Sequence, residues 1–341
     1  MPDIIKIADK KDIPKIQEYL KNYWSENHIF VKNKKLFIWQ HTYDDSQKLN
    51  FLIAVNEKFN ICGVLGFISS NLTDFNKCSW TAIWSTQKTI CDSKNTGMKL
   101  FEFFFNKFNP IIISGTALTP SVVNIYKFLG FKIITTKHNF IPGVNKSNLF
   151  KSSKKIKKKI IKNELKINNM PINKIRQGLR DKTLNMSLKN YNYKFSYKDE
   201  KYLLHRYKSH PIYKYSLIKI SLNNFTRCLM IVKKVTIKKK KILRVIDIIF
   251  LDLSINKLLY RDALASFIID NKYEYVDFIT AGGSNNLAAQ LGFYERSKND
   301  LIPGNFEPYE KKNVDNIIAY KTTKDDQYYF FKGDSDADRP R

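Results

Sequence analysis

The chain has 341 residues, more than one hydrophobic core usually serves, so two domains are expected. Hydrophobic residues make up 43% and aromatic residues 14%, which supports packed cores and excludes a disordered chain. The net charge of +28 would suit a polyanion, but lysine is spread through almost every segment beside abundant Asn and Ile, so nucleic acid is not the expected partner.

In chain order, Ile4 to Ala8 alternates as a short strand, and Ile13, Ile16, Tyr19, Leu20 and Tyr23 then fall on one helical face. Strands follow at Phe51 to Val55 and Cys62 to Ile68, joined through 56–60 as a hairpin, and again at Trp80 to Trp84. From Gly97 to Phe108 the residues Met98, Leu100, Phe101, Phe104, Phe105 and Phe108 recur at helical spacing until Pro110 stops the run. Ile111 to Ile113 is a further strand. The lysine-rich run from Lys151 to Lys162 has too little apolar content for a core, marks the boundary and reads as a linker or an exposed helix. Beyond it the pattern predicts a helix near Asp199 to Tyr207, strands near Cys228 to Thr236 and Ile242 to Leu251, a helix from Leu258 to Asn271 and a strand at Tyr275 to Ile279. Lys238 to Lys241 reads as a solvated hairpin tip. The end from Asp325 is acidic and expected to be either mobile or folded over a neighbour.

The longest apolar stretch, Val245 to Leu253, is broken by Asp247 and Asp252, and the first residues carry Asp3, Lys6, Asp9, Lys10, Lys11 and Asp12 where a signal peptide would be apolar. No membrane insertion and a cytoplasmic location are therefore expected. Cys62, Cys78, Cys91 and Cys228 show no metal-ligand spacing, so no metal is expected and the thiols read as buried.

Residues 124–131 read Asn-Ile-Tyr-Lys-Phe-Leu-Gly-Phe, and 286–293 read Asn-Leu-Ala-Ala-Gln-Leu-Gly-Phe, 162 positions later. Each follows a strand, so strand, short helix and Leu-Gly-Phe turn recur as a structural repeat. Tyr126 of the first copy is matched by Ala288 of the second, which carries no ionisable group. Upstream, Ser93 to Leu100 follows a strand and opens a helix, where free backbone N–H groups and the helix dipole suit a phosphate.

Together these segments resemble the GNAT-type acyltransferases, whose pyrophosphate loop reads Gln/Arg-x-x-Gly-x-Gly/Ala and whose later Tyr-x-x-Leu-Gly-Phe closes the acyl-CoA site. Here Lys94-Asn95-Thr96-Gly97-Met98 is a reduced loop, with Lys in place of Arg or Gln and one glycine, whereas Tyr126 to Phe131 matches. The resemblance implies an α/β (α+β) fold of two GNAT-like domains, each a mixed, mostly antiparallel sheet flanked by helices. It divides the chain into an acyl-CoA-binding catalytic domain at 1–150, a basic linker at 151–165, a degenerate domain at 166–324 and an acidic tail at 325–341. It implies acetyl-CoA or another acyl-CoA as co-substrate, held by Lys94, Asn95, Thr96, Gly97, Met98, Lys99 and Asn124, with Tyr126 protonating the departing thiolate. The second half has no glycine loop between Asp252 and Ala265, so no intact acyl-CoA site is expected there.

The arrangement also resembles tandem proteins found with bacterial surface-polysaccharide genes, through Asn27 to Phe30, Trp39-Gln40, Ile302 to Pro308 and Asp336 to Pro340. This implies N-acylation of an amino sugar, nucleotide-linked, in the cleft between the halves. By residue type His28 is the candidate general base, with Glu26 in reserve, or a histidine serving its helix end. Trp24, Trp39, His205 and Arg206 are candidate acceptor residues, with His210 and Tyr207 beside them. Two alternatives remain: a Fem-like aminoacyl transferase, whose tRNA donor would use the lysines, and a non-catalytic sugar-binding protein.

Overall fold

The computed structural model describes residues 3–42, 46–143, 149–155, 165–180, 196–283, 286–324 and 328–340; positions 156–164 of the expected linker lie outside them. The first half runs β1 (Ile4–Asp9), α1 (Ile13–Tyr23), α2 (Ile29–Lys32), α3 (Lys34–His41), β2 (Lys48–Val55), β3 (Ile61–Ser69), β4 (Cys78–Thr86), α4 (Thr96–Phe108), β5 (Ile112–Leu118), α5 (Pro120–Phe128), β6 (Lys132–Thr135) and β7 (Lys137–Pro142). The periodic elements lie where the patterns place them. α1 buries Ile13, Ile16, Tyr19 and Leu20 and leaves Tyr23 exposed, and α4 buries Leu100, Phe101 and Phe104 before Asn109 ends it in the left-handed region ahead of Pro110. All nine residues of β3 are buried, because α1 to α3 cover one face of the sheet around Ile53 and Val64 while α4 covers the other around Leu65 and Phe67.

The second half contributes β8 (Leu165–Pro171), β9 (Ser216–Leu222), β10 (Phe225–Ile237), β11 (Lys240–Leu251), the helix Lys257–Asp270, β12 (Tyr273–Gly282), the short helix Leu287–Gln290, β13 (Tyr294–Glu295), β14 (Asn305–Phe306), β15 (Tyr309–Glu310), β16 (Ile317–Thr322) and β17 (Tyr329–Phe331). Lys238 and Lys239 form the predicted hairpin tip with positive φ, while Lys240 and Lys241 are already in β11.

The sheets do not divide where the linker suggested. One is ordered β1-β2-β3-β4-β5-β16-β6 and the other β13-β7-β12-β11-β10-β9-β8. Each half lends a strand to the other: β7 lies between β12 and β13, and β16 lies between β5 and β6. A shared core cements the exchange, with Trp80, Ile112 and Ile318 packed among Tyr202, Leu203, Leu229, Ile231 and Phe330.

The sequence echo proves to be one local structure used twice. Phe131 N–H bonds Tyr126 O at 3.0 Å and Gly130 N–H bonds Lys127 O at 2.9 Å; Phe293 to Ala288 and Gly292 to Ala289 repeat this at 2.9 and 3.0 Å. Both are helix ends closed by a left-handed residue, with φ of 77° at Gly130 and 79° at Gly292.

Candidate functional site

In the first sheet β4 and β5 are parallel neighbours joined through α4, and they pair only from Cys78↔Ile112 to Thr81↔Gly115. Against β3, Gly66 pairs with Ile83 and Phe67 with Thr81, which leaves Ala82 as an extra residue. Such a bulge re-aims a strand and ends its pairing. From Ala82 onward β4 has no partner in β5, so a gap opens at the carboxyl ends of two parallel strands, where open α/β sheets take ligands.

Tyr126 is planted at the root of that gap. Its hydroxyl lies 2.6 Å from Thr81 Oγ1, on the last paired residue of β4, and its ring meets Phe131 and Trp84 edge-on at 4.9 and 5.8 Å. Burial pushes its phenol up to about 12. The Trp84 indole closes the gap above it, stacked on Phe101 and donating from Nε1 to Gly97 O at 3.0 Å. Thr81 and Trp84 escaped sequence reasoning, because their meaning comes from the bulge and from cross-chain partners.

The loop 93–99 meets the end of β4 that β5 leaves unpaired, through the bond from Trp84 Nε1 to Gly97 O. No side chain caps the N-terminus of α4, so its first N–H groups, from Thr96 on, point out of the helix. Lys94 and Asn95 are exposed, Gly97, Met98 and Lys99 are half-buried, and Lys99 Nζ donates to Ser93 Oγ at 3.1 Å. An internal anion anchors the approach to this loop: the Asp3 carboxylate accepts from the amides of Asp92 and Ser93 at 2.9 and 3.1 Å and from the Thr96 hydroxyl. Cys62 Sγ also donates to Asp3 at 3.4 Å. Asp3, Cys62 and Cys91 bring their ligand atoms within 4.8 Å of one another, a convergence that spacing did not reveal. Asn124 lies apart on the exposed side of α5.

The second half treats its corresponding gap differently. β11 and β12 pair in parallel up to Val245↔Phe278. Beyond that point the tail enters: β17 pairs with β12 from Gly282 to Thr280, and Gly333 N–H bonds Ile246 O of β11 at 2.8 Å. The acidic tail is therefore folded in. Asp334 and Asp338 are buried, with Lys198 bridging Asp247 and Asp334 and Lys233 held by Asp338 at 2.6 Å.

The remaining predicted residues divide between two places. Trp24 and Glu26 are exposed near the α1–α2 turn. His28 caps α2, its Nδ1 accepting from Phe30 N–H at 3.3 Å, and burial together with nearby Arg339 lowers it to about 4. With that lone pair committed, the expected general base at His28 gives way to the helix-end role. Trp39, His205 and Arg206 do come together across the halves. His205 Nε2 donates to Trp39 O at 2.8 Å, Trp39 Nε1 donates to His205 O at 3.3 Å, and the Arg206 guanidinium lies 5.6 Å from the Trp39 ring centre. His210 packs against the same ring at 4.4 Å. Other segments singled out in the sequence converge alongside, with Arg339 over Phe30 at 5.1 Å and Glu307 accepting from the Tyr213 hydroxyl.

No family model matches the chain, and no curated protein matches it. Solved structures do. A GCN5-related N-acetyltransferase from Anabaena variabilis is similar over 94% of this chain and 73% of its own, at 10% identity and a TM-score of 0.58. Another from Kribbella flavida is similar over 94% and 71%, at 9% identity and 0.51. The fold is thus that of the GCN5-related N-acetyltransferases, with mixed sheets flanked by helices across both halves. Among the described residues no helix is long and apolar enough to cross a membrane.

Proposed function

We propose that this chain is a cytoplasmic acyl-CoA-dependent N-acyltransferase with one working centre, the β4–β5 gap. The observation that carries the reading is the Tyr126 hydroxyl held by Thr81 at 2.6 Å, where the parallel pair parts beneath the uncapped head of α4. The acyl-CoA pyrophosphate would lie on the outward N–H groups at that head, a helix N-terminus being a ready anion site, with Lys94 and Lys99 adding charge. The acceptor amine attacks the thioester carbonyl, the tetrahedral intermediate collapses with C–S cleavage, and the thiolate takes the Tyr126 proton. A phenol raised by burial keeps that proton at neutral pH until it is needed. Glu26 remains the reserve candidate for taking the amine proton. The acyl group is read as acetyl, and the acceptor as an amino sugar, nucleotide-linked, of surface-polysaccharide biosynthesis. The Trp39–His205–Arg206 wall supports a small polar acceptor between the halves, since such clefts concentrate ligand sites.

The test is acetyl-CoA binding by the full chain and its Gly97→Asp variant. A Cβ at 97 meets only ordinary contacts, Thr86 Oγ1 at 3.4 Å and Trp84 Nε1 at 3.7 Å, so the variant should fold while placing a carboxylate against the pyrophosphate. Affinity should fall at least tenfold, about the effect of losing one charge-assisted contact; equal affinity in a folded variant would remove this site. Consumption of acetyl-CoA with amino sugar nucleotides, set beside peptides and aminoacyl-tRNA, then decides the acceptor, and activity on tRNA alone would favour the Fem-like alternative.

A second reading has its own support. Trp84 spans the gap to Gly97 O, and Asp3 sets a carboxylate on the approach to the loop. Both features suit a non-catalytic protein that kept the fold, and a chain that binds an amino sugar but no acyl-CoA would establish that reading.

A further inference from the structure

Arg206 is 3% exposed, yet its Nε and Nη2 have no hydrogen-bond partner among the described residues. Asp338 balances its charge from nearby, but buried N–H donors without hydrogen-bond partners still carry their full desolvation cost. The nearby carboxylate is already engaged, as Asp338 accepts from Lys233 Nζ at 2.6 Å and from the Tyr215 hydroxyl at 2.9 Å. Around Arg206 the other orphaned polar atoms belong to residues that touch in a chain. The Tyr202 hydroxyl is unpartnered, as is Trp80 Nε1, and these two rings lie 5.9 Å apart. His210 Nε2 is unpartnered too, and His210 packs against the same Trp39 ring as the Arg206 guanidinium and feels its charge.

These atoms share a sign. His210 Nδ1 accepts from Ile212 and Tyr213 N–H at 3.1 and 2.9 Å, so the ring proton is on Nε2, which is a donor. Guanidinium, indole and imidazole N–H groups and a phenol O–H all offer hydrogen and one full positive charge. Arg206 also lies in a π-helical turn, Leu204–Lys208, an irregularity found frequently at functional sites. Trp80 immediately precedes Thr81, the residue that holds Tyr126. Its side chain packs in the core shared by the two halves, whereas Thr81 faces Tyr126 of α5.

We propose that Arg206, with His210, Tyr202 and Trp80, forms a subsite for an oxyanion, a phosphate or carboxylate carried by the acceptor, on the face of β4 opposite Tyr126. The proposal rests on the acyltransferase reading for what the subsite serves, but not for its existence. The experiment measures thermal midpoints and equilibrium binding of the full chain with inorganic phosphate and with acetate, for wild type, Arg206→Met and Arg206→Lys. Phosphate or acetate should stabilise wild type saturably, and Arg206→Met should weaken that binding about tenfold or more. Without oxyanion, Arg206→Met should be at least as stable as wild type, because two buried donors without partners have been removed, and Arg206→Lys should bind with intermediate strength. Stronger binding of phosphate identifies a phosphorylated acceptor; stronger binding of acetate identifies a carboxylated one. An Arg206→Met chain that is destabilised, or that responds to both anions as wild type does, would overturn the subsite. Acetyl-CoA binding to wild type is followed separately: its failure would strike the acyltransferase reading and leave the anion result standing.

Discussion

At the scale of single residues, Tyr126 and the histidines make opposite use of burial. The Tyr126 hydroxyl keeps one partner, Thr81, so Tyr126→Phe should hold shape and acyl-CoA affinity while turnover drops by about 10², the usual size of general-acid help. Unchanged turnover with chemistry limiting would return the ring to packing alone. All five histidines are lowered, by burial first: His28, His41 and His205 to about 4, His210 to about 3, and His138 in the same direction despite its bond to Asp277. The unfolded chain therefore takes up these protons first as pH falls. Stability is fully present above about 6.5 and is lost between there and 4. The urea midpoint should decline across that window, the five histidines outweighing the single Asp334, which burial raises to about 6 and which works in the opposite sense, while Asp277 is held down at about 2 by Arg244 against its own burial. A midpoint unchanged from pH 7 to 4 would contradict this.

At the scale of elements, the repeated helix end shows how one motif can carry two different loads. A Cβ at Gly130 would meet only Lys321 Nζ at 3.7 Å, whereas at Gly292 it would stand 2.4 Å from Arg261 Cβ and 2.7 Å from Lys257 O. Gly130→Ala should cost about 1–2 kcal/mol for left-handed backbone alone, and Gly292→Ala should cost more, since the backbone of the helix Lys257–Asp270 cannot yield. Urea unfolding of the two variants checks the order, and equal losses would refute the packing argument. The helix ends themselves were legible in Leu-Gly-Phe because only glycine takes that backbone at no steric cost. The unequal crowding was not legible, because it depends on a helix some 30 residues upstream.

At the scale of the molecule, the strand exchange makes each half depend on the other. Residues 1–150 lack β16 between β5 and β6, and residues 151–341 lack β7 between β12 and β13. Each piece expressed alone should fail to unfold cooperatively, since an inner strand is missing and its neighbours are left as bare edges. Co-expressed pieces should co-purify with the circular dichroism of the full chain. Cooperative unfolding of either piece alone would refute the dependence. The tail shows the same economy, filling in the second half with a strand the place that in the first half is covered by the Trp84 side chain.

Periodicity and turn chemistry were enough to place α1, β2 to β5, α4, α5 and the Leu-Gly-Phe turns, because those signals are local: one buried face per helix, one glycine per left-handed turn. The repeat also set Tyr126 against Ala288, while the roles proposed for Tyr126 and for the head of α4 came from the family resemblance. Tertiary structure alone decided which strand lies beside which, since β7 and β16 are short and read alike in either sheet. It alone decided the role of His28, whose lone pair meets an amide two residues on, and the enclosure of Tyr126 by Thr81 and Trp84. It alone brought Trp39 within 5.6 Å of the Arg206 guanidinium, 167 positions later, because burial and hydrogen-bond satisfaction are properties of neighbours and not of sequence.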